Sequence, residues 1–170
     1  MAKDASGDYA GAILDFHKAL FLNPRNAGIY YNLGVTKCKL DDYQEAIADF
    51  DRAIEINPQY AEAYYGRGLA KSSLFDAQGA ISDFDCVIVY DPQHVDAYFH
   101  RGFAKFQLKD YQGAISDYDR VIEINPQYPG GYHNRGIAKR ESGDEAGADE
   151  DSAKADELIE IRNRQLPEPE

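Results

Sequence analysis

The sequence predicts an all-α protein, a solenoid of antiparallel helix pairs laid down in series. Three observations lead there. First, columns of residues recur every 34 positions: Pro24, Pro58, Pro92 and Pro126; Tyr30, Tyr64, Tyr98 and Tyr132; Gly34, Gly68, Gly102 and Gly136; and Ala12, Ala46, Ala80, Ala114 and Ala148. A fixed period of about 20–50 residues marks a stacked-repeat architecture. Second, each period holds two apolar stripes of helical spacing. Tyr64, Arg67, Gly68 and Lys71 form one, and Ala80, Ile81, Phe84, Val87 and Ile88 the other; neither alternates as a strand does. Third, the stripes are punctuated. Asp8, Asp42, Asp76, Asp110 and Asp144 precede the second stripe of each unit, where a carboxylate caps free N–H groups at the positive helix end. Asn23-Pro24, Asn57-Pro58, Asp91-Pro92 and Asn125-Pro126 close it, because the residue before proline avoids helical geometry.

In chain order, residues 1–26 hold a truncated unit. Ala2-Lys3 aligns with Ala70-Lys71, Ala104-Lys105 and Ala138-Lys139, so most of a first helix is absent from this sequence. The second helix, about 8–22, still carries Ile13, Phe16, Ala19 and Leu20 and expects a partner. Either the sequence is a piece of a longer chain or another molecule covers this face. Residues 27–60, 61–94 and 95–128 are full repeats, and 129–164 form a final one. Its first helix opens on Pro129-Gly130-Gly131; proline suits the first helical turn, whereas each glycine weakens the helix by about 1 kcal/mol. The last helix turns polar where a further unit would dock. Asp149 follows Ile13, Ile47, Ile81 and Ile115; Ser152 follows Phe16, Phe50, Phe84 and Tyr118; Asp156 follows Leu20, Ile54, Ile88 and Ile122. Such a face solubilises the end of an array. Residues 141–160 contain nine acidic residues and one lysine, which reads as a solvated cap face, with a docking site for a basic partner as the alternative. The tail, 165–170, is expected to be disordered.

Gly68 and Ala80 predict close helix approach, with Phe84 and Tyr64 filling the space around it. This constellation closely resembles the tetratricopeptide repeat family. Tyr64, Gly68, Ala80, Phe84 and Pro92 fall on that family's aromatic, glycine, alanine, aromatic and proline positions, and the resemblance spans about residues 8–158. It implies a right-handed superhelix. Two columns depart from the family: Arg67, Arg101 and Arg135 replace a leucine that Leu33 keeps, and Lys37, Lys71, Lys105 and Lys139 replace a tyrosine. An unpaired buried guanidinium is costly, so each arginine is expected to pair with an aspartate of a neighbouring unit's second helix, chiefly the Asp49, Asp83, Asp117 column.

Composition excludes several functions. A formal charge of −12 and pI of 4.7 lack the cationic footprint of nucleic-acid binding and favour a basic partner. No stretch is long and apolar enough to span a membrane. Cys38 and Cys86 have no metal-site spacing, and His17, His94, His100 and His133 show no i, i+4 pairing. The pairs Asp49/Asp51, Asp83/Asp85 and Asp117/Asp119 are two residues apart and point away from each other on a helix. The segment from Gly66 to Ser72 lacks the spacing of a phosphate loop. The expectation is no enzyme activity, no cofactor and no metal. A cytoplasmic setting is the default, with the proviso that a targeting signal would precede a truncated start.

The resemblance further implies a concave groove lined by the first helices. Its central rows are Tyr31, Tyr65, Phe99, His133 and Val35, Leu69, Phe103, Ile137. Asn32, Gly66, His100, Asn134 and Cys38, Ser72, Phe106, Arg140 flank them, with Glu62 and Asp96 at the edge. The partner-binding candidates are thus Tyr31, Asn32, Val35, Tyr65, Leu69, Phe99, His100, Phe103, Phe106, His133, Asn134 and Ile137. An aromatic-rich groove suits an apolar peptide or partner helix, although Tyr31, Tyr65 and Phe99 are as well suited to packing between units. Family members that read a C-terminal carboxylate use lysine, asparagine and arginine where this chain has Tyr31, Val35, Gly66, Asp96 and His100, so that activity is not implied. Self-assembly through the N-terminal face is the alternative function.

Overall fold

The computed structural model describes residues 7–164; the polar start at residues 1–6 and the tail at 165–170 lie outside them. The described residues are helical throughout, with short turns and no strand. They fall into two compact units, one ending at Pro92 and the other beginning at Gln93. The first holds α1 (Tyr9–Leu22), α2 (Ala27–Cys38), α3 (Tyr43–Ile56), α4 (Ala61–Ser73) and α5 (Ala77–Tyr90). Here α2 packs on α3, α3 on α4 and α4 on α5, with α1 against α2. The second holds α6 (Val95–Gln107), α7 (Tyr111–Ile124), α8 (Pro129–Glu141) and α9 (Glu145–Arg164), packed in the same succession. This is the all-α helix-pair solenoid class.

The α2–α3, α4–α5 and α6–α7 pairs each close where a first-helix glycine meets a second-helix ring. A Cβ on Gly68 would stand 2.8 Å from Phe84 Cε1, one on Gly34 2.7 Å from Phe50 Cε1, and one on Gly102 3.0 Å from Tyr118 Cε1. Phe50 and Phe84 are fully buried, as are Ala46, Ala80 and Ala114. Glycine at these positions is therefore a matter of space. Pro129 sits in the first turn of α8, and Gly131 lets α8 approach α7, because a Cβ there would lie 2.9 Å from Val121 Cγ1.

Four of the five aspartate caps form. Asp8, Asp76, Asp110 and Asp144 each accept from a backbone N–H three residues on, at 2.9–3.0 Å. Asp42 does not, which corrects the uniform expectation. The receiving residues are Gly11, Gly79, Gly113 and Gly147, and a Cβ on any of them would come within 2.5 Å of the capping carboxylate. In α3 that place is Glu45.

The arginines pair with aspartates, but with a correction to which ones. Arg67 on α4 bonds Asp83 of its own helix pair, Nη2–Oδ1 2.5 Å and Nε–Oδ2 3.0 Å. Its Nη1 reaches Asp51 on the preceding pair at 2.5 Å. Arg135 repeats the arrangement with Asp151 and Asp119, both at 2.6 Å, and Arg101 bonds Asp117 at 2.5 Å. The anticipated Asp83/Asp117 column is thus the internal partner, whereas Asp51 and Asp119, from the column two residues later, link successive pairs within each unit. This follows from the roughly 200° between residues i and i+2: one carboxylate faces inward and the other faces the next pair. The lysine column finds its reason here too. Lys71, Lys105 and Lys139 bind the second oxygen of Asp83, Asp117 and Asp151 at 2.8–2.9 Å, and Lys37 lies 2.8 Å from Asp49. Asp151 is consequently buried within α9 and is no part of a solvated acidic face. Burial alone would raise its carboxyl, but Arg135 and Lys139 hold it below the ordinary carboxylate value. Each guanidinium also stacks on the tyrosine one turn earlier, Arg67 on Tyr64 at 5.3 Å and Arg135 on Tyr132 at 5.6 Å.

The polar finish of α9 is as anticipated. Ala148 and Ala155 are buried, while Asp149 and Asp156 are exposed. Arg140 reaches back to Asp149 at 3.0 Å and to Glu145 at 3.4 Å.

Candidate functional site

In the first unit, Tyr31 and Val35 on α2 face Tyr65 and Leu69 on α4 across an apolar cavity of about 290 Å³. Cys38, Tyr43 and Ser73 complete its walls, Phe50 forms its floor, and Glu62 and Lys39 stand at its rim. The cavity exists because Gly66 has no side chain: a Cβ there would lie 2.7 Å from Phe50 Cζ. The corresponding positions elsewhere hold Asn32, His100 and Asn134. Gly66 was thus the sequence signal for the cavity, while Tyr43 and Phe50, from a second helix, were not foreseen as lining.

Both tyrosines also serve packing. Tyr31 sits 5.2 Å from the Tyr60 ring and 6.0 Å from Phe50, and Tyr65 sits 5.9 Å from Phe84. Each is half-buried, with part of the ring left to the cavity. Burial, and secondarily Glu62, push the Tyr31 phenol above its ordinary pKa; burial does the same to the Cys38 thiol. At neutral pH these walls are uncharged, which fits an apolar occupant.

In the second unit, Phe103, Phe106, Asn134 and Ile137 gather around Tyr118, enclosing about 60 Å³. Phe103 is 44% exposed, whereas Phe106 packs on Tyr111 at 5.4 Å. Asn134 hydrogen-bonds the buried Tyr118 phenol, which burial pushes well above its ordinary range. Phe99 is held by His100, Tyr118 and Tyr128, all at 5.5–5.9 Å, so it is chiefly a packing residue. His100 is half-buried, and burial lowers its imidazole pKa. His133 borders a separate hollow with Tyr128, Pro129, Gly130, Ile159 and Arg162. Asn32 is exposed and lines none of these hollows.

Among the described residues no cluster of histidine, cysteine and carboxylates is arranged to hold a metal, and no helix is long and apolar enough to cross a membrane.

The tetratricopeptide repeat family model matches residues 27–60 and 95–128, and a related repeat model matches residues 5–41. A crystal structure of MamA is 28% identical, with 95% of each chain covered and a TM-score of 0.92. A second MamA crystal structure is 27% identical, covering 99% of this chain and 92% of its own, with a TM-score of 0.90. MamA from Desulfovibrio magneticus RS-1, residues 41 to the end, is 20% identical over 94% of this chain and 89% of its own, with a TM-score of 0.88; at that identity the likeness is one of fold. No curated protein sequence matches the chain.

Proposed function

The chain belongs to the tetratricopeptide repeat family, a class of protein-interaction scaffolds, and on that premise we propose that it captures an apolar peptide or partner helix along the faces of its first helices. The carrying observation is the cavity between α2 and α4, where Tyr31, Val35, Tyr65 and Leu69 present apolar walls beneath the single acidic rim residue Glu62. An aliphatic or aromatic side chain fits the walls, and a neighbouring lysine or arginine on the ligand suits Glu62. In the other unit, taken by itself, Phe103 is exposed beside Ile137 and offers an apolar contact of its own. Peptides selected from a random library on the immobilised protein test this. Leu69→Asp should weaken the selected peptides about tenfold or more, equivalent to about 1.4 kcal/mol. Retained affinity would remove the cavity from the site, and unchanged capture by Phe103→Ala/Phe106→Ala would remove those two residues.

A second reading rests on α1, whose Leu14, Phe21 and Leu22 are 61%, 88% and 83% exposed. Such a face suits self-assembly. Light scattering at two concentrations decides it: mass rising with concentration supports assembly, and a strict monomer rejects it.

A further inference from the structure

The turn joining α4 to α5 carries a bulky residue in a conformation that disfavours it. Phe75 has φ of 61°, in the left-handed region where a side chain strains the backbone and glycine does not. The matching turns place Gly7, Asp41, Lys109 and Gly143 there. Among the described residues nothing covers Phe75, which is 86% exposed. Leu74 beside it is also exposed, and so is Leu40 on the preceding turn. Leu74 forms one wall of a cleft of about 230 Å³ whose other lining residues are Asp41, Asp42, Tyr43, Gln44 and Glu45. Two departures from the repeat meet at this edge: the phenylalanine in place of a small or polar residue, and Glu45 in place of the glycine that elsewhere receives the cap. Because Glu45 stands there, Asp42 is not engaged as a cap. Lys37 bridges Asp49 and Glu45, so Glu45 already has a cation, Asp41 accepts from the Tyr43 phenol at 2.6 Å, and Lys39 lies over the Tyr9 ring at 5.6 Å. The edge is therefore apolar on one side and anionic on the other.

We infer that this edge of the first unit is a second docking surface, separate from the α2–α4 cavity, for a segment alternating apolar and basic residues. Its apolar side chains cover Leu74 and Phe75, and its lysines or arginines enter the cleft against Asp41 and Asp42. Charge selects this occupant: Asp41 and Asp42 line the cleft beside the lysine-paired Glu45, and the chain as a whole carries −12. An exposed apolar patch rimmed by charge is the usual form of such a surface, and a strained residue with no structural return is where function is sought.

The experiment is fluorescence anisotropy with a fluorescein-labelled synthetic peptide of alternating leucine and arginine, alongside melting of each variant. Phe75→Gly is expected to raise the melting temperature by a few degrees, since it relieves the turn. It is also expected to weaken the peptide about tenfold, as loss of an aromatic anchor does. Binding is measured in the Leu69→Asp background, which removes the cavity as a competing site; there Asp42→Asn should weaken binding and flatten its salt dependence. The inference is overturned if Phe75→Gly binds as wild type. It is overturned equally if a serine–arginine peptide of the same charge binds as well as the leucine–arginine one, or if Leu69→Asp by itself abolishes binding, which would place the peptide in the cavity.

Discussion

Arg67→Ala is expected to destabilise the protein by about 3 kcal/mol, the lower end of the range for breaking a buried ion pair from one side. The substitution strands Asp83, whose side chain is only 3% exposed. It also removes the bridge to Asp51 and uncovers the Tyr64 ring. Lys71 remains on the second oxygen of Asp83, which is why the low end applies. Burial would by itself lower the Arg67 pKa, but Asp83 and Asp51 hold it well above the ordinary value, so the guanidinium is charged throughout the accessible pH range. Arg67→Leu should cost less than Arg67→Ala, because the chain already contains that arrangement. Leu33 occupies the arginine position of its pair, Asp49 there has Lys37 alone, and the residue sixteen before Leu33 is His17 instead of aspartate. Urea denaturation midpoints measure both. A loss within about 0.5 kcal/mol for Arg67→Ala would reduce the network to ordinary surface charge.

Phe84→Ala should cost about 3–5 kcal/mol, as expected of a fully buried aromatic whose removal leaves a cavity. Gly68→Ala should cost about 1–3 kcal/mol by overpacking, even after the gain of up to about 1 kcal/mol from alanine's better helix propensity. The two are opposite faces of one contact, since the new methyl would sit 2.8 Å from the ring. In the double variant the ring is gone and the methyl has room. The combined loss should therefore fall short of the sum by more than about 0.5 kcal/mol, the scatter expected of independent sites. Strict additivity would show that the glycine is there for some reason other than space.

Much of this was legible in the chain itself. The 34-residue period, the two helical stripes, the proline stops and the change of Ile115 to Asp149 define the helices and the polar finish by themselves. Less was legible about the charges. That the arginines needed acidic partners followed from desolvation cost, but the partner depended on which way two aspartates faced. The lysine column is explained only by packing, which sets Lys71 and Arg67 on the same carboxylate. The caps hid a dependence of the same kind: Asp42 looks equivalent to Asp76 until the residue three places on is considered.

The sequence alone determined the helices and their pairing, because helical period, capping and steric size are local properties that repetition makes unambiguous. Tertiary packing decided which polar and aromatic groups remain available. Phe99 and Asn134 are occupied by Tyr128 and Tyr118, while Phe103 and Phe75 stay open to solvent. Those outcomes depend on contacts between side chains on different helices, where a turn of a helix by one residue carries a side chain about 100° around its axis. Residue spacing along the chain does not resolve such differences; the packed helices do.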